Sequence, residues 1–122
     1  MKKKILLVDD FNNSLAILKM TLEINKFEVV TATNGQEALS LFKTQTFDLL
    51  ISDYNMPVMN GLELVKQIKG LSENRKFPIV IVSTDIDENK KREAHKAGVT
   101  FWLKKPFKVE ELIKVVERIV YN

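Results

Sequence analysis

The sequence contains no cysteine. Disulfides and thiolate metal centres are therefore excluded, and a reducing compartment, the cytoplasm, is the expected setting. Histidine occurs once, as His95 beside Lys90, Lys91, Arg92 and Lys96; it reads as a solvated side chain, not as a catalytic base or a phosphohistidine. The four glycines, Gly35, Gly61, Gly70 and Gly98, are scattered and form no phosphate-cradling loop, so a nucleotide site is unsupported. No apolar run approaches the ~18 residues of a membrane span. The opening MKKKILLVDD lacks the long apolar stretch and small-residue cleavage site of a signal peptide. Charge of one sign is also modest: the net value is +3, and Lys2, Lys3 and Lys4 make the only basic run at a terminus. That run reads as a solvated face, and no nucleic-acid or membrane partner is expected.

What is present is a regular alternation. Short continuous apolar runs predict strands at Ile5–Val8, Glu28–Thr33, Asp48–Ser52, Ile79–Ser83 and Thr100–Lys104. Helical periods predict helices at Ser14–Asn25, Gln36–Thr44, Leu62–Leu71, Glu88–Ala97 and Val109–Val120. Leu15, Leu18 and Leu22 share a face of the first, as do Leu112, Val116 and Ile119 of the last. Five strand-then-helix units with short links imply an α/β fold on a parallel sheet, and 122 residues suit one domain over 1–122.

The strands differ in a way that suggests their order. ILLV, LLIS and IVIVS are continuously apolar, as strands covered on both faces must be, whereas EVVTAT and TFWLK mix polar with apolar residues, as edge strands can. Right-handed crossovers then favour the order 2-1-3-4-5, with ligands held beyond the carboxyl ends near the switch point between strands 1 and 3.

Those ends carry an unusual set: Asp9 and Asp10 after strand 1, Asp53 after strand 3, Ser83 and Thr84 at strand 4, Lys104 and Lys105 at strand 5. Neighbouring carboxylates repel, so a raised pKa, a lysine or a cation must offset them. With hard oxygen donors and no histidine or cysteine nearby, the cation would be Mg²⁺. Hydroxyl and ammonium groups on the same rim could hold phosphoryl oxygens. Each residue also has a bland reading. Asp10 could cap the first helix, as could Asn12, Asn13 or Ser14, and Asp53 could be a turn residue before Asn55-Met56-Pro57. Convergence from four strand ends favours the joint reading.

The paired Asp9-Asp10, the run SDYNMPVMNGLEL around Asp53, Ser83 closing strand 4, and KPF at Lys105-Pro106-Phe107 resemble the response-regulator receiver domain. The likeness runs from Lys4 to about Val120 and is strongest toward single-domain chemotaxis regulators. It implies a flavodoxin-like fold and a phosphoacceptor at Asp53. It further implies Mg²⁺ bound directly by Asp10, Asp53 and the backbone carbonyl of Asn55, with Asp9 acting largely through metal-bound water. Ser83 would hydrogen-bond the phosphoryl group, and Lys105 would pair with one of its oxygens across a cis bond to Pro106. Trp102 would be the strand-5 aromatic whose rotamer accompanies switching, rotating into space that Ser83 vacates. The sequence departs from the pattern in having Ser83 where Thr is usual, Thr84 where Ala or Gly is usual, and Asn60 where Asp is frequent.

The implied function is a phosphorylation-controlled switch in a two-component pathway. A histidine kinase would supply the phosphoryl group. The output would be altered binding of a target, such as a flagellar motor switch, through the fourth helix, fifth strand and fifth helix. The protein is expected to be a monomer without an effector domain, assisting only its own phosphoryl transfer and hydrolysis. A phosphorelay or sporulation-type regulator is the alternative within the class. A flavodoxin-like FMN carrier is the alternative outside it, disfavoured because the carboxylates of DDFNN would repel a phosphate. The apolar excess of the last helix, Val109, Leu112, Ile113, Val115, Val116, Ile119 and Val120, reads first as a wide core stripe and second as part of a partner face.

Overall fold

The structure is a computed structural model that describes residues 2–72 and 76–121. Strands and helices alternate along it: β1 (Lys4–Val8), α1 (Asn12–Ile24), β2 (Glu28–Ala32), α2 (Gly35–Thr44), β3 (Leu49–Asp53), α3 (Gly61–Ser72), β4 (Ile79–Ser83), α4 (Glu88–Ala97), β5 (Phe101–Lys104) and α5 (Val109–Tyr121). All pairings are parallel and the order is β2-β1-β3-β4-β5. This is the flavodoxin-like arrangement expected from the strand compositions. β4 is buried at every position, while the edge strands β2 and β5 mix buried with partly or fully exposed positions.

Strand side chains alternate between two cores. Leu6, Val8, Leu50, Ile79 and Ile81 point to a face covered by Ala38 and Phe42 of α2, Leu64, Val65 and Ile68 of α3, and Ala94 of α4. Ile5, Leu7, Leu49, Ile51, Val80 and Val82 point to the other, covered by Leu15 and Leu22 of α1 and Leu112 and Val116 of α5. The surplus apolar residues of α5 belong here, since Ile113, Val115, Ile119 and Val120 pack partly buried against this second core. By contrast, α4 fully buries only Ala94 and adds a partly buried Ala97, so its core contact rests on two small residues. Its ends are supplied locally: Asp87 caps its start by accepting the Asn89 N–H at 2.8 Å, and Gly98 closes it with φ 115°.

Several boundaries differ from the sequence reading, each for a visible reason. α1 begins at Asn12 with Phe11 as its cap residue and no side-chain cap bond, so Asn12, Asn13 and Ser14 lie inside the helix and cap nothing. Asp48 lies before β3, where its N–H donates to the Lys4 carbonyl at 2.7 Å and its carboxylate accepts the Lys4 N–H at 2.8 Å; this bond draws Lys4 into β1. Thr100 precedes β5, its Oγ1 accepting the Ile79 N–H at 3.0 Å. α1 ends in a left-handed turn at Lys26 (φ 74°), where Phe27 N–H reaches the Leu22 carbonyl and Lys26 N–H the Glu23 carbonyl, both at 3.1 Å. No helix among the described residues is long and apolar enough to cross a membrane.

Candidate functional site

β1 and β3 pair with Val8 opposite Ser52, so Asp9 and Asp53 leave the sheet side by side. One carboxylate oxygen each from Asp9, Asp10 and Asp53 lies within 4.8 Å of the other two. Asp9 is buried, Asp53 half-buried and Asp10 exposed. Asp9 Oδ1 accepts the Phe11 N–H at 3.0 Å and so turns the chain into α1; Asp10 is not the cap residue of that helix. On the other side, Lys105 Nζ donates to Asp53 Oδ1 at 3.1 Å, while Lys104 is exposed. The ammonium that reaches inward is thus the one next to Pro106, and the Lys105–Pro106 bond is cis.

Electrostatics at Asp53 are a contest. Burial pushes its carboxyl above the ordinary range, the hydrogen bond and charge of Lys105 pull it back, and Asp9 and Asp10 push it up again; the net direction is upward. Within 4.8 Å of each other, Asp9 and Asp53 oxygens repel by at least about 3.5 kcal/mol at an effective dielectric of about 20. The cluster therefore favours a cation, and its donors are all carboxylate oxygens with no nitrogen or sulfur among them. That chemistry fits Mg²⁺. Asn55 is exposed on the loop after β3, two residues beyond Asp53.

Ser83 is fully buried at the end of β4, one residue beyond the Val82 that pairs with Asp53. Its Oγ accepts the Asp85 N–H at 3.0 Å, which leaves the hydroxyl proton for another acceptor. Thr84 is exposed and, with Asp9, Ile17, Lys105 and Phe107, lines an open cleft of about 420 Å³ beside the rim. Trp102 is already inside the protein, 8% exposed, with its ring 5.4 Å from that of Tyr54.

Sequence reasoning missed the role of Gly61. A Cβ there would meet the Asp53 carbonyl at 2.6 Å and Tyr54 Cα at 2.9 Å, and the Gly61 N–H donates to the Tyr54 carbonyl at 2.7 Å. α3 is thereby docked on the backbone of Asp53 itself. Asn60 is explained by the same junction: it accepts the Glu63 N–H and Glu63 accepts the Asn60 N–H, both at 2.9 Å, a reciprocal capping box. His95 is exposed with Nδ1 3.1 Å from the Val99 carbonyl, remote in role from the acidic rim.

Comparison with known proteins agrees with this geometry. Residues 5–117 match the response regulator receiver domain family. A chemotaxis protein CheY homolog of Campylobacter jejuni is 37% identical over 119 residues, which cover 96% of this chain and 92% of that protein. The Bacillus subtilis transcriptional regulatory protein PhoP, which acts in alkaline phosphatase synthesis, is 32% identical over 98% of this chain but 49% of its own length. The solved structure of Vibrio cholerae chemotaxis protein CheY4 superposes with a TM-score of 0.92 at 39% identity, over 98% of this chain and 99% of that one. The chain belongs to the response regulator receiver domain family. Within it the chain is CheY-like, a signalling switch of the two-component type, and such domains accept a phosphoryl group from a kinase and typically bind Mg²⁺ at their acidic pocket.

Proposed function

We propose that Asp53 is the phosphoacceptor and that this protein, a receiver domain over residues 1–122, serves as a chemotaxis-type switch charged by a histidine kinase. The observation that carries the reading is the meeting of three carboxylates with one lysine, Lys105 at 3.1 Å from Asp53, on the carboxyl rim of the sheet. Asp9, Asp10, Asp53 and the Asn55 backbone carbonyl would hold Mg²⁺, which when bound supplies positive charge against phosphoryl oxygens. The remaining work falls to the protein's own groups. An Asp53 carboxylate oxygen forms the bond to phosphorus as the bond to the donor nitrogen or acyl oxygen breaks, and the leaving group departs with that electron pair. Lys105 passes from the Asp53 carboxylate to a phosphoryl oxygen, a charge-assisted bond that replaces the one lost. The buried Ser83 hydroxyl donates to a second oxygen, and Trp102 reports the resulting movement.

The chemotaxis assignment is supported by the 35–37% identity to CheY proteins of Vibrio cholerae and Campylobacter jejuni. Its output face would be α4, β5 and α5, where Phe101 stands 40% exposed on the edge strand, and its target a motor-switch component. Acetyl phosphate with Mg²⁺ should add one phosphoryl group to the intact mass, and Asp53→Asn should remove most of that labelling. Equal labelling in EDTA would overturn the mechanism.

A further inference from the structure

The segment after β4 carries an arrangement that phosphoryl acceptance does not use. Lys90 Nζ donates to Asp85 Oδ2 at 2.6 Å and lies 5.5 Å from the centre of the Tyr54 ring. Asp85 Oδ1 accepts the Asp87 N–H at 2.9 Å, and the Asp85 N–H donates to Ser83 Oγ. Tyr54 directly follows Asp53, and its ring packs on Trp102. One ammonium on α4 thus ties the stretch from Ser83 to Asp87 to the residue beside the acidic rim.

Trp102, on which Tyr54 packs, is 8% exposed, and its indole N–H has no acceptor among the described residues; a buried donor without a partner is unfavourable.

We infer that Lys90 is a positioning residue for Ser83: through Asp85 it holds residues 83–87 in the unphosphorylated arrangement and opposes the movement of Ser83 toward a phosphoryl group. The inference rests on Asp53 being the phosphoacceptor. For Ser83 to approach a phosphoryl group, the Asp85 N–H must either follow it, which pulls Asp85 off Lys90, or lose its acceptor. The first route works against the Lys90–Asp85 pair, and the second leaves the Asp85 N–H without the bond seen here, so with Lys90 holding Asp85 in place either route carries a cost. The two side chains are 40% and 24% exposed, so the pair has the weight of a surface ion pair reinforced by an aromatic face. It should bias the equilibrium by about two- to fivefold and not lock it.

Titration of the intact chain with beryllofluoride and Mg²⁺, read by Trp102 emission, tests this. Lys90→Gln should lower the midpoint about two- to fivefold and move the emission of the untreated protein toward the bound value. Lys90→Arg keeps the charge, a donor for Asp85 and a cation over the Tyr54 ring, and should match wild type. In a Ser83→Ala background the effect of Lys90→Gln should shrink, because its target is gone. Fractional labelling by acetyl phosphate gives the same comparison without the tryptophan. A Lys90→Gln variant with a changed melting temperature but a wild-type midpoint in both assays would show a merely structural lysine and overturn the inference. If wild type neither responds to beryllofluoride nor takes a phosphoryl group, it is the phosphoacceptor reading that fails, and the role of Lys90 falls with it.

Discussion

Removing the charge of Asp53 should make the metal-free protein more stable, although it also removes an ion pair. Two charge terms act on this carboxylate at close range. Lys105 at 3.1 Å attracts it by about 5 kcal/mol and Asp9, within 4.8 Å, repels it by at least about 3.5 kcal/mol, both at an effective dielectric of about 20. Asp10 adds further repulsion, screened by its exposure, so the charge terms nearly cancel and desolvation decides the sign. The sign is read from the raised pKa of Asp53, whose first cause is burial. A carboxyl whose folded pKa exceeds its unfolded value of 3.8 binds its proton more tightly when folded. Stability is therefore lost as pH rises from the unfolded value through the folded one, and the loss is complete above both. Asp53→Asn keeps the shape and omits this loss. In EDTA it should match wild type below pH 3.8 and exceed it at pH 7 by on the order of 1 kcal/mol, about 3–5 °C in melting temperature for a chain of this size. Thermal unfolding across the pH range measures it. Mg²⁺ should then raise the wild-type melting temperature more than that of the variant; at a hundredfold excess over its dissociation constant it stabilises wild type by about 2.7 kcal/mol. A variant less stable than wild type at pH 7 in EDTA would refute the reasoning, because Lys105 would then outweigh burial.

Three further outcomes test the frame around the site. Gly61→Ala puts a methyl against the Asp53 carbonyl and should cost about 2–3 kcal/mol in urea unfolding together with most of the acetyl phosphate labelling, whereas Asn60→Ala, which only loses a cap, should cost about 1 kcal/mol and leave labelling intact. Lys26→Gly relieves a left-handed residue at the end of α1 and should gain about 0.5–1 kcal/mol by chemical denaturation. Val58 is β-branched, 96% exposed, and sits at φ 71° in a tight turn where the Met59 N–H donates to the Pro57 carbonyl at 2.8 Å. Val58→Gly should raise stability by about 1 kcal/mol, and no rise in melting temperature would place the strain of that loop elsewhere.

The strand order could be read from composition because burial on two faces leaves a chemical mark. ILLV, LLIS and IVIVS have no polar interior position, and those strands are the central three. The meeting of Asp9, Asp10, Asp53 and Lys105 followed from that order, since strand ends of a parallel sheet share one rim. Three things were not legible. Gly61 looks like an ordinary turn glycine until α3 is laid on the Asp53 backbone. The start of α1 carries three residues suited to capping and uses none, because Asp9 already holds the Phe11 N–H. Lys90 touches Asp85 and Tyr54, and Tyr54 in turn packs on Trp102; neither periodicity nor strand pairing brings those positions together. In each case the decisive fact is a distance between segments, for which a linear pattern leaves no trace.

The seating of α3 on Asp53 divides the rim into an anvil and a hammer. On one side the Gly61 N–H, the capping box of Asn60 and Glu63, and a backbone with no room for a methyl hold α3 tightly against Asp53. On the other, residues 84–87 are surface chain, with Ile86 66% exposed, anchored by side-chain bonds that a single substitution can remove. A chemical event on the rigid side must therefore be expressed as displacement on the soft side. Heredity meets the same partition: changes at positions 84–90 can retune the strength or speed of the response while the reacting group stays where it was, so sensitivity can drift among descendants of this protein without the chemistry being reinvented.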